Sequence, residues 1–303
     1  MPPLVDELLA EAEARRAVIF GRRSGPAVDH DAVDYERYAH AFDSCIQRGD
    51  AERAARFIVA LRDFWWARGQ YEEGLAWIDK VLAVPDLSAA CRATVLDHAG
   101  ALAFADRQYS IAQAFFEASL DLRRRSDDKP GLALTLNHLA AVVRWGRNDS
   151  ARAKELYEES LALARETGDR LLVAAALMPL GTQAIHQGAV AQARAFLVEG
   201  LSLYVELRVE TAYPLALEQF AALAAECGQA TRALRLAAAG AAWRRQLDTY
   251  PTPYTDWLEG YVGRAREALD PSAALAAWAE GEALPLDVAI GSALQEEVLR
   301  EGQ

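Results

Sequence analysis

The 303-residue sequence is short of lysine, cysteine and basic charge. Lysine occurs only at Lys80, Lys129 and Lys154, and cysteine only at Cys45, Cys91 and Cys227. Three widely spaced cysteines exclude a disulfide framework and a structural zinc site, and they point to a reducing compartment. With 32 Lys and Arg against 44 Asp and Glu, the formal net charge is −12. A nucleic-acid-binding face needs clustered cations to release phosphate counterions. Here only RRAVIFGRR at 15–23 and RRR at 123–125 interrupt the acidic balance. No apolar run approaches the roughly 18–20 residues that span a bilayer. The opening residues MPPLVDELLAEAEARRAVIF carry acids before any base, unlike a secretory signal. These absences predict a cytoplasmic chain with neither nucleic-acid nor membrane partners.

Catalytic motifs are missing as well. There is no G-x-x-x-x-G-K-[ST], H-E-x-x-H, C-x-x-C or G-x-S-x-G, and GRRSGPAV has glycines without the lysine or the preceding strand of a phosphate loop. The expectation is a non-enzyme with no cofactor and no metal.

What the sequence does have is self-similarity. YEEGLAWIDKVLA, YSIAQAFFEASLDL, SARAKELYEESLAL, VAQARAFLVEGLSL and ATRALRLAAAGAAW start at Tyr71, Tyr109, Ser150, Val190 and Ala230, a period of about 40 residues. Each is preceded by another stretch with apolar or small residues at i, i+3, i+4 and i+7, such as Leu96, Ala99, Gly100 and Ala103. The unit is two helices around a polar turn. Ala112/Phe116, Ala153/Tyr157 and Ala193/Leu197 form small-then-large stripes on the second helices, and Gly100 and Gly181 of the first helices are expected to meet those alanines. Helix pairs are predicted at 51–84, 90–124, 131–166, 170–206 and 212–247. In FWWARGQYEEGLAWI at 64–78, Phe64, Trp65 and Tyr71 flank a glycine turn, and Trp65 and Trp77 read as packing between helices; Trp66 is less settled.

These residues resemble the tetratricopeptide repeat (TPR), with its W-x2-L-G-x2-Y, A-x3-F-x2-A and closing P. The clearest copy is LMPLGTQAIHQGAVAQARAFLVEGL, with Leu180, Gly181, Ala193, Leu197 and Gly200 at the family positions. The closing proline is mostly replaced. The long period is similar to the repeats of bacterial signalling ATPases and multidomain transcription regulators, whose NTPase and DNA-binding modules have no counterpart here. The resemblance implies an all-α, right-handed α-solenoid of about five helix pairs with capping helices at both ends. Residues 1–30 would be a weakly ordered or partly helical lead, 31–247 the solenoid, and 248–303 capping helices continuous with it.

The resemblance also implies a ligand-facing concave surface on the first helices. Carried over, that surface is Arg56, Val59, Asp63 and Trp66; Thr94, Asp97, Ala101 and Phe104; Leu134, Asn137, Ala141 and Arg144. It continues with Ala175, Met178, Thr182 and Ile185, then Leu215, Glu218, Ala222 and Ala225. His98 and His138 fall 40 residues apart at equivalent places, and His186 ends the next first helix. Side chains on helices about 8–10 Å apart would have to lean together to share a zinc ion at about 2 Å, so helix-packing or groove polar roles are favoured. The groove lacks the basic ladder that clamps an acidic C-terminus. It therefore suits a neutral or basic protein or peptide segment with apolar anchors. Three other readings stay open. The groove could hold a small molecule, or an unrecognised catalytic set of Asp97, His98, His138 and Arg144. It could be filled by the chain's own ends. The chain could also be a self-association module of unknown oligomeric state. YPTPYTDWLEGY, too proline-rich for one helix, reads as a cap, a lid or a partner patch.

Overall fold

A computed structural model describes residues 2–21, 32–246 and 257–295. Among them there are fifteen α-helices, one 3-10 turn and no strand. In order they are α1 (Pro2–Gly21), α2 (Ala32–Gln47), α3 (Ala51–Arg68), α4 (Tyr71–Leu82), α5 (Ala89–Ala105), α6 (Tyr109–Arg124), α7 (Lys129–Arg147) and α8 (Ser150–Thr167). Then follow α9 (Arg170–His186), α10 (Val190–Leu207), α11 (Tyr213–Glu226), α12 (Ala230–Gln246), α13 (Leu258–Glu267), α14 (Pro271–Glu282) and α15 (Leu286–Leu294). The fold is an all-α solenoid of repeated helix pairs, and the five pairs read from periodicity are α3/α4 through α11/α12.

Local chemistry explains the punctuation. Asp50, Ser88, Asp128, Asp149 and Asp169 accept hydrogen bonds from backbone N–H groups three residues ahead, at the starts of α3, α5, α7, α8 and α9. After each of the first helices the chain takes a left-handed turn, at Gly69, Arg107, Asn148, Gly188 and Gly228, with φ between 53° and 72°. Those five positions repeat with the spacing of the second-helix starts, so one turn geometry closes every pair.

The chain divides into two compact units, Met1–Ala176 and Leu177–Gln303, with the division inside α9. In the first, α1, α3, α5 and α7 form a row in which each packs on the next, while α4 and α6 bridge successive pairs. The lead is helical over the 20 residues of α1. Val5, Leu8, Leu9 and Ala12 enter the same core as α2 and α3. Residues 22–31 lie outside the described residues. Phe64, Trp65 and Trp77 are core: Tyr35 stacks on Phe64 with centroids 4.7 Å apart, Phe42 on Trp77 at 4.2 Å, and Trp65 meets Trp77 edge-on at 5.2 Å. Buried Trp65 donates its indole N–H to the Tyr35 hydroxyl at 2.9 Å, and that hydroxyl donates to Glu73 at 2.6 Å.

Small residues set the helix approach, with one correction. A Cβ on Gly100 would lie 2.7 Å from the Phe116 ring, and one on Gly181 2.5 Å from Leu197. Gly100 therefore seats the large member of its stripe rather than the alanine, while a Cβ on Gly181 would meet both Leu197 and, at 3.5 Å, the Ala193 carbonyl oxygen.

In the second unit α13 packs on α11 and α12, α14 packs on α12, and α15 lies against α10, α11 and α12. Of the YPTPYTDWLEGY stretch, residues through 256 lie outside the described residues; Trp257 and Tyr261 pack edge-on at 5.4 Å. No described helix is long and apolar enough to cross a membrane.

Candidate functional site

The first-helix face of the first unit begins with charges that are already paired. Arg56 of α3 donates two hydrogen bonds, at 2.8 and 2.9 Å, to Glu13 of α1. Asp63 accepts from its neighbour Arg62 at 2.7 and 2.9 Å. Trp66 is half-buried beside them.

On α5 the polar position turns inward. Asp97 is 3% exposed and accepts from the Arg123 guanidinium of α6 at 2.6 and 3.1 Å. The Thr135 hydroxyl of α7 donates to the same carboxylate at 2.9 Å, and Arg123 also bonds Asp128, the N-cap of α7. Burial pushes the Asp97 carboxyl up while Arg123 and the two hydroxyls pull it down. The acid is thus a cross-link joining α5, α6 and α7. A buried ion pair loses solvation on both sides, so breaking one partner is costly even where the intact pair adds little.

The second unit repeats the device. Glu218 of α11 is buried and accepts from Arg244 of α12 at 2.6 and 3.2 Å. Arg123 and Arg244 each lie 26 residues beyond their acid. Thr182 donates to the Met178 carbonyl and accepts from the buried Gln219 amide at 2.8 Å. Met178 is itself buried against Gly200.

Asn137 has a different task. Pro179 sits inside α9 and has no N–H, so the carbonyl of Ala175 loses its intrahelical partner. The Asn137 amide of α7 donates to that carbonyl at 3.3 Å. Its neighbour His138 is half-buried, its ring tilted against Phe116 at 5.2 Å, and its buried Nδ1 has no hydrogen-bond partner. Burial, aided by Arg62 and Arg123, pushes the imidazole down to about 3, so it is neutral at ordinary pH. His98 is buried on α5, whereas His186 takes a 3.2 Å hydrogen bond with the Tyr261 hydroxyl and packs on Trp257. No group of three or more His, Cys, Asp or Glu among the described residues is placed to hold a metal. Phe104 is buried against Tyr109, and the Arg144 guanidinium lies 5.3 Å from the Trp145 ring.

Two leucines are exposed on the first helices of the first unit, apart from Leu207 and Leu275 of the second unit. Leu134 of α7 is 39% exposed and Leu171 of α9 is 46% exposed. Leu134 precedes Asn137 by one turn and Leu171 precedes Ala175 by one turn. The Asn137–Ala175 hydrogen bond joins α7 to α9 one turn beyond each leucine. Leu134 was among the sequence candidates. Leu171 was missed, although its place one turn before Ala175 on the same helical stripe is the signal that could have found it. The arginine partners of Asp97 and Glu218 were missed too, and their shared offset was the available signal.

Residues 91–166 match the tetratricopeptide repeat family model, a span covering nearly all of α5 to α8. Among solved structures, the chain is similar to one titled as the crystal structure of BtubC (BKLC) from P. vanneervenii. The two are 16% identical with a TM-score of 0.53, over 82% of this chain and 93% of that one. At that identity the likeness carries the fold. No curated protein matches the chain. Residues 91–166 thus carry repeats of the TPR type.

Proposed function

We propose that this TPR-type protein is a non-catalytic interaction module that binds a protein segment on the first-helix face of its first unit. The observation that carries the reading is the exposure of Leu134 and Leu171, each one turn before the contact that joins α7 to α9, on a face whose polar members are engaged internally. Exposed large apolar side chains on adjacent helices offer anchor sites, and anchors supply most of the energy of a segment interface. A chain of net charge −12 favours a neutral or basic segment. Such a module suits bacterial signalling or transcriptional control, where TPR regions recruit partners.

What supports a binding rather than a catalytic role is the state of the candidate groups. Asp97 and Glu218 are held by arginines, and His138 is half-buried with its ring against Phe116. General acid–base work needs a group that reaches substrate and exchanges protons near the working pH.

The test is selection of peptides from a displayed library on the purified chain, with affinities then read by fluorescence anisotropy. Enriched peptides should carry apolar anchors without net negative charge. Leu134→Asp/Leu171→Asp should weaken them about a hundred-fold, the effect of two lost anchors of about 1–2 kcal/mol each. Enrichment of acidic peptides, or binding indifferent to the double substitution, would overturn the proposal.

A further inference from the structure

The second unit carries a surface of a different kind, independent of the leucine pair. α15 is only nine residues long, and an isolated helix of that length does not hold together in water. It is helical because of where it sits, against α10, α11 and α12. Ala289 and Ala293, one turn apart, have no exposed surface, while Val288 on another face is 48% exposed. Ala189, Val190, Cys227 and Ala230, at the turns where α10 and α12 begin, share one apolar cluster with α15.

The end of α15 is recognised as well as its face. Arg232 donates to the carbonyls of Ser292, Ala293 and Gln295 at 2.7, 3.4 and 3.1 Å. Arg194 donates to the carbonyl of Leu294 at 3.5 Å. The last turn of a helix leaves its carbonyls without intrahelical partners and carries partial negative charge. Two guanidinium groups beside a flat apolar edge meet both needs. Ala289 and Ala293 are the fully covered residues of α15, Leu286, Ile290 and Leu294 pack against the same cluster half-buried, and backbone oxygens make the polar bonds.

We propose that the edge formed by α10, α11 and α12 is a helix-docking surface, filled in cis by α15. In trans it takes a short helix with small residues at i and i+4 and a free C-terminal end for Arg194 and Arg232. α15 is then an internal occupant that a partner helix of the same chemistry displaces.

The full chain bearing Ala289→Asp tests this, since a carboxylate at that fully covered position unseats α15 and leaves the edge intact. A fluorescein-labelled peptide PLDVAIGSALQ, residues 285–295, is titrated by anisotropy. It should bind the Ala289→Asp chain about ten-fold or more tighter than the unaltered chain, whose edge is occupied. Adding Arg232→Ala should weaken it about ten-fold, the loss expected for charge-assisted hydrogen bonds. Equal or absent binding to both chains would overturn the proposal. So would loss of cooperative melting in Ala289→Asp, which would make α15 part of the unit's core. Hydrogen exchange on the unaltered chain gives a second reading. Amides of 286–294 should exchange ahead of those in α11 and α12, and exchange in step with them would contradict displacement.

Discussion

Around α2 to α4 the first unit is filled by rings, and around α11 to α14 the second is filled by alanine. Phe42, Phe57, Phe64, Trp65 and Trp77 are buried in the former. Ala216, Ala221, Ala222, Ala224, Ala233, Ala237, Ala238 and Ala239 are buried in the latter. The same pair-on-pair packing is reached by wedging helices apart with aromatics or by letting backbones approach. At the alanine end a Cβ on Gly281 would lie 2.3 Å from the Arg235 carbonyl oxygen and 2.7 Å from its Cα. Backbone atoms cannot swing aside. One region therefore tolerates no deletion and the other no addition.

Trp65→Ala should break this comparison hardest. It removes a side chain with no exposed surface and the indole N–H that donates to the Tyr35 hydroxyl, for a loss of about 3–5 kcal/mol measured by urea unfolding. Gly281→Leu should follow, at about 1–3 kcal/mol from overpacking against backbone, with the change confined to the second unit by hydrogen exchange.

The acid sensitivity of the first unit comes next. The folded pKa of His138 lies near 3, below its ordinary value of 6.5, so the unfolded chain binds the extra proton. Its contribution to stability is complete above pH 6.5 and falls, by about 1.4 kcal/mol per pH unit, as pH drops toward 3. His138→Phe should flatten that part of the stability–pH curve, read as the difference between the two proteins' unfolding free energies.

Asn137→Ala is the smallest effect, about 1 kcal/mol, because it strands the Ala175 carbonyl. Its cause is separable. Pro179→Ala restores an N–H for that carbonyl, so Asn137→Ala should cost close to nothing in the Pro179→Ala background. An equal cost in both backgrounds would assign Asn137 another role.

The helix pairs were legible because periodicity of 3.6 within a period near 40 is a property of the chain itself. So was the aromatic wedge of Phe64, Trp65 and Trp77, whose rings are near neighbours in sequence. The polar face was not legible in the same way. Position on a first helix says which stripe a residue occupies, but not whether a partner waits on the second helix. Asp97 and Glu218 sit at ligand-facing positions by register, yet Arg123 and Arg244 draw them inward. Likewise Asn137 is spoken for by a proline on another helix. His98 and His138 do share equivalent places, but burial rather than a shared ligand accounts for the second.

Internal polar pairs hold the repeats, and the exposed leucines are the proposed anchors for a partner. Melting temperature and selected-peptide affinity, measured side by side on Asp97→Asn and on Leu134→Asp/Leu171→Asp, test it most directly. Asp97→Asn should lower the melting temperature and leave the affinity of the remaining folded protein unchanged, while the leucine pair should do the reverse. Loss of affinity in folded Asp97→Asn, with the leucine variant still binding, would contradict it.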